Sequence, residues 1–349
     1  MTVSVLGVVV VTFNSADVIL DCLESLLSAK GVKLHLTIVD NASTDATITV
    51  LRDWAAGRVA YTPPSELPFT VHPCPKPVAL YTPADALPTS GYRIVLLETG
   101  INGGFAAGVN AGLAHLATNP GIDRFWILNP DSVTPADTPR AFAEEPAAEF
   151  SLMGGRLIYL EGNDQIQLDG GTINSRTGVT GNLNQYALHP ATPAPSPTQM
   201  HFITGASMVA SRAFYEAVGP MMEDYFLYYE EVDWALRRGD LPLAYCAGGI
   251  VYHRAGTAIG SATLKRPASP FSLYFKHRAR LLFMRRHFPR NLPFAYAYSL
   301  AKAAQLLLKG YPEEARTILA ASFGRPPSVA VRERLSPEAA RLAFGETTG

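Results

Sequence analysis

The chain has few cysteines, no long apolar run and almost no net charge. Its three cysteines, Cys22, Cys74 and Cys246, lie far apart. That spacing excludes a disulfide framework and a cysteine metal cluster, and it points to a reducing compartment. The 29 basic and 30 acidic residues leave a formal charge of −1, so no global field draws the chain to nucleic acid. The longest apolar stretch of the C-terminal part, Phe294 to Leu308, is short and interrupted by Lys302. It is a poor membrane span, although it could lie against a membrane or a partner. No basic leader precedes the first apolar run, so no signal peptide is expected.

What remains is a globular composition, 48% hydrophobic and 17% charged. The 349 residues suffice for one large α/β domain with extensions or for two smaller domains. The apolar run Val8 to Val11 ends in Thr12-Phe13-Asn14-Ser15. A helical pattern follows over Asp17 to Ser28, with Ser15 as its expected N-cap. A second apolar run, Leu36 to Val39, ends in Asp40-Asn41-Ala42-Ser43-Thr44-Asp45, whose side chains can cap a helix over Ala46 to Ala56. A strand over Tyr92 to Glu98 leads to Asn102-Gly103-Gly104-Phe105 and a helix to Ala117. A fourth strand, Phe125 to Leu128, delivers Asn129-Pro130-Asp131. Polar loops at the carboxyl ends of parallel strands are where open α/β sheets bind ligands.

The later part is strand-rich from 151 to 204, then carries a strand over Met208 to Ala210, a strand over Tyr245 to Val251, and helices over Ser272 to Arg286, Pro293 to Leu308 and Pro312 to Ala321. Between Gly57 and Gly91 prolines crowd the chain and periodicity is lost, which reads as an irregular surface excursion or a substrate-shaping lid.

Several residues could carry chemistry. Asp40, with Asn41 and Ser43 beside it, can accept the N–H of a nucleobase, or it can simply cap the next helix. Gly103 and Gly104, opening the helix of Phe105 and Asn110, would let a backbone approach a phosphate at a helix N-terminus, although the spacing is neither a Walker loop nor a dinucleotide fingerprint. Asp131 at a strand end suits Mg2+ or Mn2+ shared with substrate phosphates, or an ordinary Asn-Pro-Asp turn. Glu230, Glu231 and Asp233 offer a general base, or negative charges that favour a helix start. His253 is a metal ligand or a structural histidine. The basic and aromatic segment Phe271 to Arg280 could meet acidic lipid or a lipid-linked acceptor, or pack as an ordinary helix.

Taken in order, Val10-Val11-Thr12-Phe13-Asn14-Ser15, Val39 to Asp45, Asn102 to Asn110, Leu128-Asn129-Pro130-Asp131, Phe226 to Asp233 and His253 resemble family 2 glycosyltransferases, and the rhamnosyltransferase-like branch most. The resemblance runs over roughly residues 4 to 310, apart from the excursion at 57–91. It implies a GT-A fold, a Rossmann-like mixed sheet flanked by helices, over residues 1–265, with a C-terminal helical extension over 266–349. It implies an inverting, metal-dependent transfer of a sugar, a deoxyhexose such as rhamnose among the candidates, from a nucleotide-sugar donor to a hydroxyl on a glycan or lipid-linked acceptor. The setting it suggests is bacterial glycan biosynthesis in the cytoplasm, at the inner face of the membrane, and it is compatible with a homodimer and with peripheral membrane contact through the C-terminal helices.

By position, Thr12, Asn14, Asp40 and Asn102 would line the nucleotide site. Gly205, Ala206 and Ser207 would face the sugars. Asp131 and His253 would hold a divalent cation, Mg2+ or Mn2+. Glu231 would be the base, with Glu230 and Asp233 next in line. The chain departs from the family pattern in two places. Asn129 stands where a second metal-site acid is common, and Glu230-Glu231 stands where Glu-Asp is usual. Two readings from other classes compete. A nucleotidyltransferase would carry basic residues near the first strand, and Thr12 to Asp17 has none. A non-catalytic carbohydrate-binding relative would bind a donor without turning it over.

Overall fold

A computed structural model describes residues 3–88, 91–147, 149–254 and 268–345. Its first strand, β1 (Ser4–Thr12), is buried from Leu6 onward. Burial on both faces explains why its sequence is a continuous apolar run rather than an alternation. There follow α1 (Ile19–Leu27), β2 (Val32–Asp40), α2 (Thr47–Ala55), β3 (Leu80–Tyr81), β4 (Arg93–Glu98), α3 (Phe105–Ala117) and β5 (Arg124–Leu128). Strands β4, β2, β1 and β5 lie side by side and parallel. Their register pairs Thr12 with Asp40 and Asp40 with Glu98, so three polar strand ends finish at one level.

The second half is β6 (Ser132–Val133), α4 (Thr138–Glu144), β7 (Leu152–Tyr159), β8 (Ile166–Leu168), the hairpin β9 (Gly171–Ile173) and β10 (Thr180–Asn182), β11 (Ser207–Ser211), α5 (Arg212–Val218), α6 (Glu230–Leu236) and β12 (Ala244–His253). Strand β11 runs antiparallel between β5 and β7, β12 lies parallel to β7, and β6 closes the edge antiparallel to β12. The result is the expected mixed α/β sheet flanked by helices, extended by α7 (Pro270–His287), α8 (Leu292–Leu308), α9 (Pro312–Ser322), α10 (Val329–Arg332) and α11 (Pro337–Phe344).

Side-chain alternation divides the core between the two faces of the sheet. Val9, Val11 and Ile127 pack toward α3, α5, α6 and α7, while Val8, Val10, Trp126 and Leu128 pack toward α1, α2 and α4. A side chain at Gly108 or Gly112 would stand 2.5 Å from Val11 or Val9. Those glycines let α3 lie directly on β1 and so bring its N-terminus to the strand ends.

One expectation needs correction, and two segments with alternative readings can be described. Ser15 does not cap α1: its backbone carbonyl takes the N–H groups of Val18 and Ile19, and the helix proper begins at Ile19. The segment Phe271 to Arg280 packs as a helix on the fold, the second of its two readings: Phe271, Tyr274 and Phe275 are buried and the Arg280 guanidinium binds Ser299 Oγ at 2.6 Å and the Ala295 carbonyl at 3.1 Å. Among the exposed apolar side chains of the extension, Phe294, Leu300, Leu307 and Leu308 are on α8, and others, such as Phe323, Val329 and Leu342, lie further along. Among the described residues no helix is long and apolar enough to cross a membrane. In the 57–91 excursion the described residues 57–88 include a strap bound to α1 and α2, with Val71, Cys74 and Val78 buried.

The anchor of that strap is Glu24, whose side chain is fully buried. Its Oε1 accepts Trp54 Nε1 at 2.7 Å and Lys76 Nζ at 2.6 Å, and its Oε2 accepts the Cys74 N–H at 2.8 Å. Removing one partner of such a pair leaves donors buried without an acceptor. Glu24→Ala is therefore expected to lower unfolding free energy by about 3 kcal/mol in urea titration; an unchanged midpoint would show that the strap is held elsewhere.

Candidate active site

The loops after β1 and β2 are tied to each other before any ligand arrives. Asn14, at φ 52°, accepts the Thr44 N–H at 2.8 Å through its Oδ1, and its own N–H donates to Ser43 Oγ at 2.9 Å. Asn41 Nδ2 donates to Asn102 Oδ1 at 3.1 Å and to the Gly104 carbonyl at 2.9 Å, which joins the β2 loop to the start of α3. Asp40 is 3% exposed. Its Oδ2 accepts the Ser43 N–H at 3.0 Å, while its Oδ1 has no partner. Burial raises its proton affinity, and the bonds from Ser43 work against this. Thr12 Oγ1 is likewise buried without a partner. Beside these loops is a cavity of about 660 Å³, lined by Asn14, Asp40, Ser43, Glu98 and Asn102.

The start of α3 is locked to the turn that precedes α6. The Phe105 N–H donates to the Phe226 carbonyl at 3.0 Å, and a Cβ on Gly104 (φ 89°) would lie 2.2 Å from that oxygen. Only glycine permits this approach. The turn itself is strained, because Phe226, Tyr228 and Tyr229 all have positive φ, between 63° and 70°. Such conformations cost about 1–3 kcal/mol each for bulky residues. The surroundings hold them: Tyr229 Oη donates to the Gly178 carbonyl at 2.7 Å, Phe226 packs on Phe275 with ring centres 5.0 Å apart, and Tyr228 Oη lies 2.6 Å from Ser272 Oγ.

The strain delivers Glu230 and Glu231 to the N-terminus of α6. Both have a buried Oε2 without a hydrogen-bond partner. Burial, with the charge of Glu231 added, holds the Glu230 carboxyl well above the usual range. Burial also pushes Glu231 up to about 7, against the pull of the helix N–H groups and of Lys276 on α7. Asp233 differs. Its carboxylate accepts Arg237 Nε at 2.7 Å and Tyr225 Oη at 3.1 Å, and lies 2.7 Å from His287 Nε2. Although burial works to raise its proton affinity, those bonds hold it below the ordinary carboxylate value.

Asp131 and His253 meet because β6 pairs with β12, opposing Ser132 to His253. Asp131 Oδ1 and His253 Nε2 are 3.1 Å apart, and Asn129 Nδ2 lies 3.3 Å from the same nitrogen. His253 Nδ1 lies 2.9 Å from Gln167 Oε1, and the tautomer that donates through Nδ1 leaves the Nε2 lone pair facing Asp131 and Asn129. A carboxylate and an imidazole nitrogen that converge in this way, with the ring fixed from behind, fit a divalent cation that takes its other ligands from phosphate and water. Among the described residues no cluster of three His, Cys, Asp or Glu side chains is placed to hold a metal.

The structure therefore brings Asn14, Asp40, Ser43 and Asn102 to one cavity, with Thr12 and Asn41 buried behind it. It brings Asp131, His253 and Asn129 to one corner. Gly205 packs on the Phe105 ring, Ala206 is buried, and Ser207 Oγ accepts Trp126 Nε1 at 3.0 Å inside the sheet. The Asn110 side chain is engaged with the Met221 backbone and Glu223, not with the cavity. Sequence reasoning missed Glu98, Gln167 and the residues of 333–338 that border the cavity. Glu98 could have been found as a third polar strand end; nothing in the local pattern marks the others.

The chain is similar to several known proteins. Residues 7–66 match the model of the family described as Glycosyl transferase family 2. A stretch of 156 residues is 23% identical to the low-salt glycan biosynthesis hexosyltransferase Agl10 of Haloferax volcanii, covering 43% of this chain and 48% of that protein. The chain thus spans about half the length of the curated relative it matches. Among solved structures, the mannosyltransferase PcManGT from Pyrobaculum calidifontis, in complex with GDP-Man and Mn2+, aligns at TM-score 0.49 and 16% identity over 91% of this chain and 86% of that one. The S. aureus protein TarS, residues 1–349 in complex with UDP-GlcNAc, aligns at TM-score 0.49 and 14% identity over 97% of this chain and 89% of that one.

The acidic pair has a consequence for stability. In the unfolded chain Glu231 loses its proton near 4.5, but in the folded chain only at about 7. The folded state therefore binds the proton more tightly, and stability falls as pH rises between those values. Glu231→Gln is expected to melt above the unaltered chain at pH 8, with the gap closing toward pH 4.5. Equal melting temperatures at pH 8 would contradict the burial of that charge.

Proposed function

We propose that this chain is a glycosyltransferase of the family 2 type, which moves a sugar from a nucleoside-diphosphate donor to an acceptor hydroxyl with inversion at the anomeric carbon. One observation carries the reading. Glu231 presents a buried, unpartnered carboxylate oxygen whose proton affinity lies at about 7, on a turn fastened to the loops of the cavity. A general base works best when its pKa lies near the working pH. The family match over the first two strand ends and the Agl10 similarity support the nucleotide-sugar half of the reading.

In this account Asn14, Asp40, Ser43 and Asn102 hold the nucleoside. Asp131 and His253 are the residues that would hold a divalent cation, which when bound supplies Lewis-acid neutralisation of the diphosphate. Glu231 Oε2 takes the proton of the acceptor hydroxyl. The acceptor oxygen then forms its bond to the anomeric carbon on the face opposite the diphosphate, and the bond from that carbon to the diphosphate oxygen breaks. Glu230 beside it is the more strongly protonated of the two, held so by burial and by the charge of Glu231. Asp233, ionised and paired, positions the first turn of α6.

The test is a panel of nucleoside-diphosphate sugars, assayed for release of nucleoside diphosphate and for the anomer formed. Transfer is expected with one donor class. Asp131→Ala should lower turnover by at least about a hundredfold and weaken donor binding, and Glu231→Gln should abolish turnover while donor binding persists. Substantial turnover by Glu231→Gln would sink the base assignment, and donor binding without any turnover by the unaltered chain would favour a carbohydrate-binding module.

A further inference from the structure

The cavity beside Asp40 is not built by the sheet loops alone. Its far side consists of Glu333, Arg334, Leu335, Ser336 and Glu338, the link between α10 and α11 and the first turn of α11. These residues lie more than two hundred positions after the loops they face. We propose that this C-terminal segment is part of the donor site: it forms the outer wall of the nucleoside cavity, and Glu333 and Glu338 help decide which base and ribose it accepts. The proposal rests on the reading of the cavity as a nucleotide-sugar site.

The segment is anchored rather than draped. Val331 and Ala343, on either side of it, are fully buried in a cluster with Phe226, Phe271, Tyr274 and Phe275, and Leu335 packs on the same cluster. Phe344 stacks on Phe275 with ring centres 5.7 Å apart. The Arg334 guanidinium lies 4.8 Å from the centre of the Phe271 ring. Ser336 Oγ caps α11 by accepting the Ala339 N–H at 3.2 Å. Because Phe226 belongs to this cluster and also accepts the Phe105 N–H, one apolar unit fixes the C-terminal wall, the start of α3 and the acidic turn together.

The chemistry of the lining says which part of a donor lies here. Asp40, Glu98, Glu333 and Glu338 are all acids, and Arg334 is the one basic residue lining the cavity. Such a lining repels a diphosphate and attracts groups that donate hydrogen bonds without negative charge, the N–H groups of a base and the hydroxyls of ribose. Asp40 supplies independent evidence for a ligand, since its Oδ1 is buried and unpartnered on the rim of this space. A volume of about 660 Å³ is ample for a nucleoside.

Glu333, Arg334 and Glu338 are exposed, so their substitution should leave the fold intact. The experiment is titration calorimetry of UDP, GDP, ADP and CDP against the full chain and against Glu333→Ala/Glu338→Ala, with inorganic pyrophosphate as the control ligand and melting temperature as the fold control. The expected result is an unchanged melting temperature, affinity for the preferred nucleoside diphosphate lowered roughly tenfold or more, a flattened ranking among the bases, and pyrophosphate binding unaltered. A second variant, Leu335→Ala, should loosen the wall and flatten the ranking in the same direction. Affinity and ranking equal to or better than those of the unaltered chain in both variants would overturn the proposal. If the unaltered chain binds none of the four nucleotides, the nucleotide-sugar reading fails, and that outcome is distinct from failure of the C-terminal wall.

Discussion

One contact organises this molecule: the Phe226 carbonyl seated against Gly104 and holding the Phe105 N–H at 3.0 Å. It joins two segments more than a hundred residues apart. On one side is α3, which lies on β1 through Gly108 and Gly112 and begins where the β1, β2 and β4 loops converge. On the other is the turn that carries Glu230 and Glu231. Remove the contact and the fold keeps its sheet, but the acids lose their address relative to the cavity.

The turn is costly in two ways, and both costs fit a site rather than a scaffold. Three aromatic residues hold positive φ, and two carboxylates are buried side by side at a helix start. The helix dipole eases the charge, and Lys276 helps Glu231. Neither brings it back to the ordinary carboxylate value. The apolar cluster of Phe226, Phe271, Tyr274 and Phe275 holds the arrangement in place, and it draws on α7, α9, α10 and α11. The C-terminal helices are thus structural partners of the acidic turn. Asp233, one turn on, is paired with Arg237 and His287 and shows the other solution to a buried acid.

Much of this was legible in the sequence, and for definite reasons. The parallel strands announced themselves as apolar runs because they are buried, and two of them ended in the polar residues Thr12 and Asp40 that now meet at one level. The helix over Phe105 to Ala117 was bounded correctly because its glycines and its apolar spacing agree. The Asp131–His253 pair could be named only through family resemblance, because strand pairing, not sequence distance, brings the two together. What stayed hidden depends on tertiary contacts. Ser15 looked like a cap, yet its N–H is bound to Thr47 Oγ1. Phe271 to Arg280 read as basic and aromatic, open to lipid or to packing, and only the fold shows its arginines reaching backbone carbonyls. Asn110 sat in the right motif, but it ties α3 to the loop at Met221. The wall at 333–338 carries no local signal, since its role comes only from where α10 and α11 dock.

The central claim, that the Phe226–Gly104 contact places the acids relative to the proposed donor site, is tested most directly by Gly104→Ala. Donor binding and turnover would be measured on the same folded sample. The added methyl cannot coexist with the Phe226 carbonyl at 2.2 Å, so the turn must move. The account predicts that turnover falls by about a hundredfold or more, as for a displaced catalytic group, and that nucleoside-diphosphate affinity falls less steeply, because Phe226 also belongs to the cluster behind the C-terminal wall. Turnover equal to that of the unaltered chain would contradict it.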